Sequence, residues 1–184
     1  MVLWMQRAAL TAALICSSLS AVSAQSLLPS PTLSDSGPAA PVRETTHCLV
    51  SRIVDGDTFE CEGIGRVRPI GIDTPELSQA PYGVMATQAL HSLMPVGTIV
   101  ELEPDVEPRD AYGRTLAYVW SNGRLVNWML VRRGWAVVTT YPPNVQYVDP
   151  LNAAQRLARE ERVGLWALNA FDCLPGDRRR GRCE

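Results

Sequence analysis

Three β-forming runs follow one another near the start of the foldable part of this chain, and that order restricts its architecture more than any other feature. Thr46 to Ile53 and Thr58 to Glu62 flank Asp55-Gly56, a dipeptide suited to a hairpin turn, and Arg66 to Ile72 continues as a third run. A doubly wound sheet needs strands alternating with helices, so an opening meander argues against one. Gly83 to Leu93 then places Ala86, Ala89, Leu90 and Leu93 at helical spacing, before Pro95 and Gly97 stop it. Thr98 to Glu103 and Leu116 to Trp120 are two further strands, separated by an acidic loop from Pro104 to Asp110, and Asn122-Gly123 closes the second. Val126, Met129 and Leu130 mark a short helix ending at Gly134, and Trp135 to Val138 is a short strand. The last helix has Asp149 as N-cap and Pro150 in its first turn. Leu151, Ala154, Leu157 and Ala158 share one face, and Gly164 lies just past the end. Five main strands with a helix after the third predict an α+β fold, a five-stranded OB-fold β-barrel capped by three α-helices. Trp120, Trp128, Trp135 and Trp166 are expected in its core.

The termini have a different character. Met1 to Arg7 is a short n-region, Ala8 to Ile15 an apolar h-region, and Ala21-Val22-Ser23-Ala24 a small-residue cleavage site, so residues 1–24 read as a secretory signal peptide. Serines 17, 18 and 20 interrupt the apolar run before the roughly 20 residues a membrane span needs. The expected location is periplasmic or secreted, with no membrane attachment after cleavage. Residues 25–45 read as a disordered Ser/Pro-rich leader, 46–170 as the folded domain and 171–184 as a Cys/Arg-rich tail. Four cysteines survive cleavage, an even number that points to disulfides in an exported protein. Of the three pairings, Cys48 with Cys61 and Cys173 with Cys183 is favoured: the first would join two strands of one hairpin, the second would close the tail into a loop. Zinc is disfavoured, since no C-x-x-C occurs and only His47 and His91 could assist.

All 17 basic residues are arginine, yet from Thr46 to Asp172 there are 11 Arg against 15 Asp plus Glu, a net charge of −4. A module that gripped long nucleic acid by charge alone would be basic. The tail Arg178-Arg179-Arg180-Gly181-Arg182 could be a solvated, mobile end or a tethered grip for polyanions that compensates for the acidic domain.

Three short segments carry chemistry: Asp55-Gly56-Asp57-Thr58, Arg68 to Glu76 (R-P-I-G-I-D-T-P-E), and Asp110-Ala111-Tyr112-Gly113-Arg114. Their order on this pattern of elements resembles the staphylococcal nuclease (thermonuclease) family from about Arg52 through Trp166. Leu125-Val126-Asn127 and Leu130-Val131-Arg132-Arg133-Gly134 extend the likeness. The resemblance implies an OB-fold enzyme that hydrolyses DNA and RNA phosphodiesters with Ca²⁺. It makes Asp57 and Asp73 metal-binding carboxylates, the Thr74 carbonyl a further ligand, Glu76 the general base, Arg68 and Arg114 phosphate-binding arginines, and Tyr112 an aromatic lining the nucleotide pocket. Ala111 stands where the thermonuclease has a lysine, and Thr139 to Tyr147 aligns ambiguously with its substrate-facing tyrosines. These departures bear on substrate affinity and preference, not on the reaction.

The chemistry of the side chains points the same way. Asp57 and Asp73 offer hard oxygen donors, which favour Ca²⁺, with Mg²⁺ as the other candidate. Arginine binds phosphate through a planar fork and keeps its charge. Glu76 is a carboxylate able to take a proton from an attacking water. No Ser, Cys or His lies in the cluster to act as nucleophile. The expectation is an exported monomeric nuclease acting on DNA, RNA or both. Two other readings remain: a non-catalytic OB module that binds oligonucleotides or a protein partner, and a phosphodiesterase for short oligonucleotides. Strict strand alternation would put Arg68 and Asp73 on opposite faces, so Gly71 must mark a bulge or the turn at Asp73 must redirect the carboxylate.

Overall fold

The structure, a computed structural model, describes residues 37–183; the expected signal segment and residues 25–36 of the expected leader lie outside them. The elements run β1 (Thr46–Asp55), β2 (Thr58–Cys61), β3 (Gly65–Pro69), β4 (Ile72–Asp73), α1 (Tyr82–Leu93), β5 (Ile99–Glu103), β6 (Thr115–Ser121), β7 (Arg124–Leu125), α2 (Val126–Arg132), β8 (Val137–Val138), α3 (Val148–Glu160), a 3₁₀ turn (Gly164–Leu168) and α4 (Pro175–Arg179). Strands β3-β2-β1-β5-β6 are neighbours in that order, and a parallel pairing of β3 with β6 closes them into a five-stranded barrel. The α+β, OB-type architecture expected from the strand order is the one observed.

The barrel closes around Val50, Phe59, Val67, Val100, Leu102, Ala117 and Val119, all buried. Strand β6 is buried over its last five residues, because Tyr118 and Trp120 are buried as well as the barrel-facing side chains. Burial on both faces explains why this stretch reads as a continuous apolar run rather than an alternating one. Cys48–Cys61 joins β1 to β2, and Cys173–Cys183 closes the tail, the pairing favoured from sequence. Residues within the stretch assigned to the leader touch the barrel: Val42 and Arg43 donate their backbone N–H groups to Glu103 Oε1, both at 2.8 Å. Glu103 is fully buried and also accepts from Trp120 Nε1 (2.8 Å) and Gln146 Nε2 (2.6 Å), so its charge is compensated by donors on several segments.

Three local expectations are corrected. The third strand does not run through Ile72: it stops at Pro69, Gly71 takes φ +81°, and Ile72-Asp73 pairs with β8 instead. Only glycine adopts that left-handed φ without strain. The break leaves the Ile70 carbonyl without a strand partner, and buried Asn127 supplies one, its Nδ2 donating at 2.8 Å while its Oδ1 accepts from the Val119 N–H. Helix α3 begins at Val148 with Tyr147 before it and no side-chain cap; Asp149 lies inside the first turn, where a carboxylate favours the helix's positive end. At the other end, Leu157 is 38% exposed rather than on the packed face, and Arg162 at φ +52° ends the helix, so Gly164 opens the 3₁₀ turn instead of stopping α3. Arg132, buried, bonds Glu161 at 2.8 and 3.0 Å and ties α2 to the end of α3, giving the Leu130-to-Gly134 stretch a structural role.

Candidate active site

The β1–β2 turn and the β3–β4 corner bring three of the predicted residues into one buried cluster. Arg68 Nη1 lies 2.9 Å from Asp57 Oδ1 and donates to the Asp57 carbonyl at 3.1 Å, while its Nη2 reaches Asp73 Oδ1 at 3.2 Å. One guanidinium therefore spans both candidate metal carboxylates, its planar fork giving each a separate nitrogen. The break at Gly71 answers the alternation problem, because Asp73 belongs to a separate strand from Arg68. Thr74 locks Asp57 from the far side: its N–H and Oγ1 donate to Asp57 Oδ2 at 2.7 and 2.9 Å. Asp57, Asp73 and Thr74 are all buried.

Glu76 sits at the mouth of this cluster. Its backbone turn is bonded reciprocally to Gln79, whose N–H donates to the Glu76 carbonyl (2.8 Å) and whose Oε1 accepts from the Glu76 N–H (2.9 Å). The turn presses against helix α1 at Gly83, where a Cβ would come within 2.0 Å of the Glu76 carbonyl oxygen. Glycine is thus required at this helical position by close approach.

Arg114 and Tyr112 come from the loop before β6, and Asp110 organises that loop. Asp110 Oδ1 accepts the N–H groups of Tyr112 and Arg114, both at 2.9 Å, and Oδ2 accepts Arg114 Nε at 2.6 Å. Burial alone would raise the Asp110 carboxyl, but these bonds and the Arg114 charge outweigh it and hold the carboxyl below its usual range. Tyr112 is 87% exposed, with the Arg114 guanidinium 5.6 Å from its ring centre.

Asp57, Arg68, Glu76, Tyr112 and Arg114 all line one cleft of about 690 Å³; Asp73 and Thr74 lie beside it through their bonds to Arg68 and Asp57. All seven predicted residues are therefore brought together. Sequence reasoning missed three that share the cleft. Asp55, an ordinary turn residue in sequence, has its carboxyl raised to about 6 by burial and, next, by the Asp57 charge. Tyr141 is 66% exposed and lines the cleft, whereas Tyr147, from the same ambiguous segment, is buried and bonds Glu103. Arg179, from the tail, donates through Nη2 to Asp73 Oδ1 and Oδ2 (2.8 and 2.7 Å) and through Nη1 to Glu76 Oε1 (2.5 Å). The tail's charge run was the only signal for it. Asp73 itself is raised, chiefly by burial and further by Asp57, with the Arg179 bond opposing.

The donor set bears on whether a cation fits. Among the described residues no three His, Cys, Asp or Glu side chains converge as a cage. Yet Asp55, Asp57 and Glu76 line the cleft, as Arg109 and Arg114 also do, and Asp73 lies beside them, four carboxylates against the two guanidiniums that bond within this group, Arg68 and Arg179. That imbalance, made of hard oxygen atoms at a solvent-open cleft, suits a divalent cation held by few protein ligands.

Residues 66–168 match the family described as staphylococcal nuclease homologue. Over 126 residues, 64% of this chain, it is 40% identical to the thermonuclease of Staphylococcus intermedius, covering 74% of that protein. The thermonuclease of Staphylococcus hyicus is 34% identical over 132 residues, 67% of this chain and 77% of the relative. Endonuclease YncB of Bacillus subtilis is 31% identical over 139 residues, 70% of this chain and 65% of the relative.

Proposed function

The chain belongs to the staphylococcal nuclease family and is a nuclease that hydrolyses phosphodiester bonds, and from that premise we propose an exported, Ca²⁺-dependent enzyme in which Glu76 activates the attacking water. The observation that carries this reading is the joining of Asp57 and Asp73 through one guanidinium at a cleft that Glu76 and Arg114 also line. Asp57 and Asp73, with the Thr74 carbonyl, are the residues that would hold the cation, and Ca²⁺ would supply charge neutralisation and a Lewis acid for the phosphate.

The remaining chemistry belongs to the chain. Hydrolysis adds negative charge to a phosphorus centre that is already anionic, so fixed positive charge must face its oxygens. Arg114, aimed by Asp110, lines the same cleft as the carboxylate cluster. Arg68, bonded to Asp57 and Asp73, also lines the cleft. Glu76 accepts the water's proton as the oxygen attacks, and no covalent intermediate with the protein forms. The exposed rings of Tyr112 and Tyr141 offer flat apolar faces beside the cleft, where bases of DNA or RNA stack without sequence readout. Export is supported by the two disulfides, which persist in oxidising compartments. Among the described residues no helix is long and apolar enough to cross a membrane.

The test is cleavage of single-stranded DNA and of RNA with Ca²⁺, with Mg²⁺ and with chelator. Turnover that needs Ca²⁺ and stops with chelator is the expected outcome. Turnover indifferent to chelator would remove the cation from the mechanism, and binding without turnover under every condition would favour the non-catalytic module.

A further inference from the structure

The tail is built to reach the site. Ala170 and Phe171 are buried with Val137 and Leu165, in a small core that Tyr82, Met85, Trp135 and Trp166 complete, and this anchors the chain just before Cys173. The Cys173–Cys183 bridge closes the following loop, and Pro175 starts α4 within it. Asp177 pairs with Arg180 at 2.8 Å and Arg182 at 3.2 Å, holding those two guanidiniums within the loop. Arg179 is directed elsewhere. It bonds both carboxylate oxygens of Asp73, 106 positions away, and Glu76 besides. The loop backbone follows it in, since a Cβ on Gly176 would stand 3.7 Å from Asp73 Oδ2.

Arg179 thus takes the acceptor atoms that the proposed reaction requires. A cation ligated by Asp73 would face a guanidinium already bonded to both of that carboxylate's oxygens, and like charges cannot share those lone pairs. Glu76 Oε1, the acceptor for the water's proton, is bonded to the same side chain. Burial works against the Arg179 charge, but the bonds to Asp73 and Glu76 prevail and raise its pKa further, so the group does not leave by losing its proton.

We propose that the disulfide-closed tail is an intramolecular plug: Arg179 competes with the divalent cation for Asp73 and holds Glu76, keeping the enzyme latent where cation is scarce. This rests on the cation-dependent reading of the site. Divalent cation displaces the guanidinium by mass action, and the apparent cation affinity equals the intrinsic affinity reduced by the fraction of molecules unplugged. The disulfide sharpens the device, because closing the loop raises the effective concentration of Arg179 at the site.

The experiment is a calorimetric titration of CaCl₂ into the oxidised, substrate-free protein, with Arg179→Ala and with a Cys173→Ser/Cys183→Ser variant, alongside DNA cleavage by each. The plug predicts Ca²⁺ binding about tenfold tighter in Arg179→Ala, with a smaller gain when the loop is opened. Equal dissociation constants for wild type and Arg179→Ala overturn it, as does a failure of both to bind Ca²⁺. Tighter Ca²⁺ binding without any cleavage supports the plug and sinks the nuclease mechanism. Cleavage with equal dissociation constants overturns the plug and leaves the nuclease in place.

Discussion

The two halves of the cleft are held in opposite ways. At the barrel end, the buried carboxylates Asp57 and Asp73 are paired through the half-buried Arg68, and Thr74 locks Asp57. Arg114 and Tyr112 ride instead on the loop before β6, held by the Asp110 carboxylate four residues from Arg114 and by a tight backbone turn. The first half is part of the fold's charge balance, whereas the second is a local device attached to it. Function and stability should therefore be coupled in one half and separable in the other.

Arg68→Ala should show the strongest coupling. It leaves Asp57 and Asp73 buried without the guanidinium they share, which costs about 3 kcal/mol or more and should remove activity as well. Urea unfolding in chelator at pH 7, run beside the cleavage assay, checks both, and Arg68→Lys should restore the pair only in part, because a single ammonium nitrogen replaces the two nitrogens that bond Asp57 and Asp73 separately. Stability close to wild type would erase the distinction between the halves.

Arg114→Ala should separate the two properties. Losing a positive group aimed at the phosphate is expected to slow cleavage by about 10²- to 10³-fold. Its partly exposed pair with Asp110 is worth about 1 kcal/mol or less, so the melting curve should barely move. A large loss of stability would show that the loop is integral to the fold after all.

Asp110→Asn should lower stability by about 1 kcal/mol at pH 7, and that effect depends on pH. The Asp110 carboxyl is lowered in the fold, so its ionised form is the one the fold favours. The contribution is complete above the ordinary carboxylate pKa of about 3.9 and is lost as pH falls through the lowered native value. Unfolding of wild type and variant should therefore differ at pH 7 and converge towards pH 3. A gap that persists in acid would assign the loop's order to something other than this charge.

The same contrast explains what was legible in the sequence. The barrel could be read because its strands are bounded by local signals such as Asp55-Gly56 and Asn122-Gly123, and the seven site residues fall in short motifs on those elements. The break at Gly71 was legible only as a question, since whether a glycine bends a strand or ends it depends on partners such as Asn127, which lies far along the chain. The start of α3 lies two residues before the one its sequence suggests, because an aspartate before a proline suits both the cap and the first turn. Arg179 could not be found by pattern at all. Four arginines in a short tail look alike in sequence, and only the closed loop distinguishes the one that reaches Asp73 from those that Asp177 retains.

The central claim is that this chain's own carboxylate at the cleft mouth activates water for phosphodiester hydrolysis. The most direct measurement is the initial rate of DNA and RNA cleavage by wild type and Glu76→Gln at saturating Ca²⁺, with folding of both confirmed by thermal melting. Glu76 is partly exposed and its turn is held by backbone and Gln79 contacts that the variant keeps. The account predicts a rate lowered by about 10²- to 10⁴-fold with the melting temperature little changed. An unchanged rate in a folded Glu76→Gln protein would contradict it.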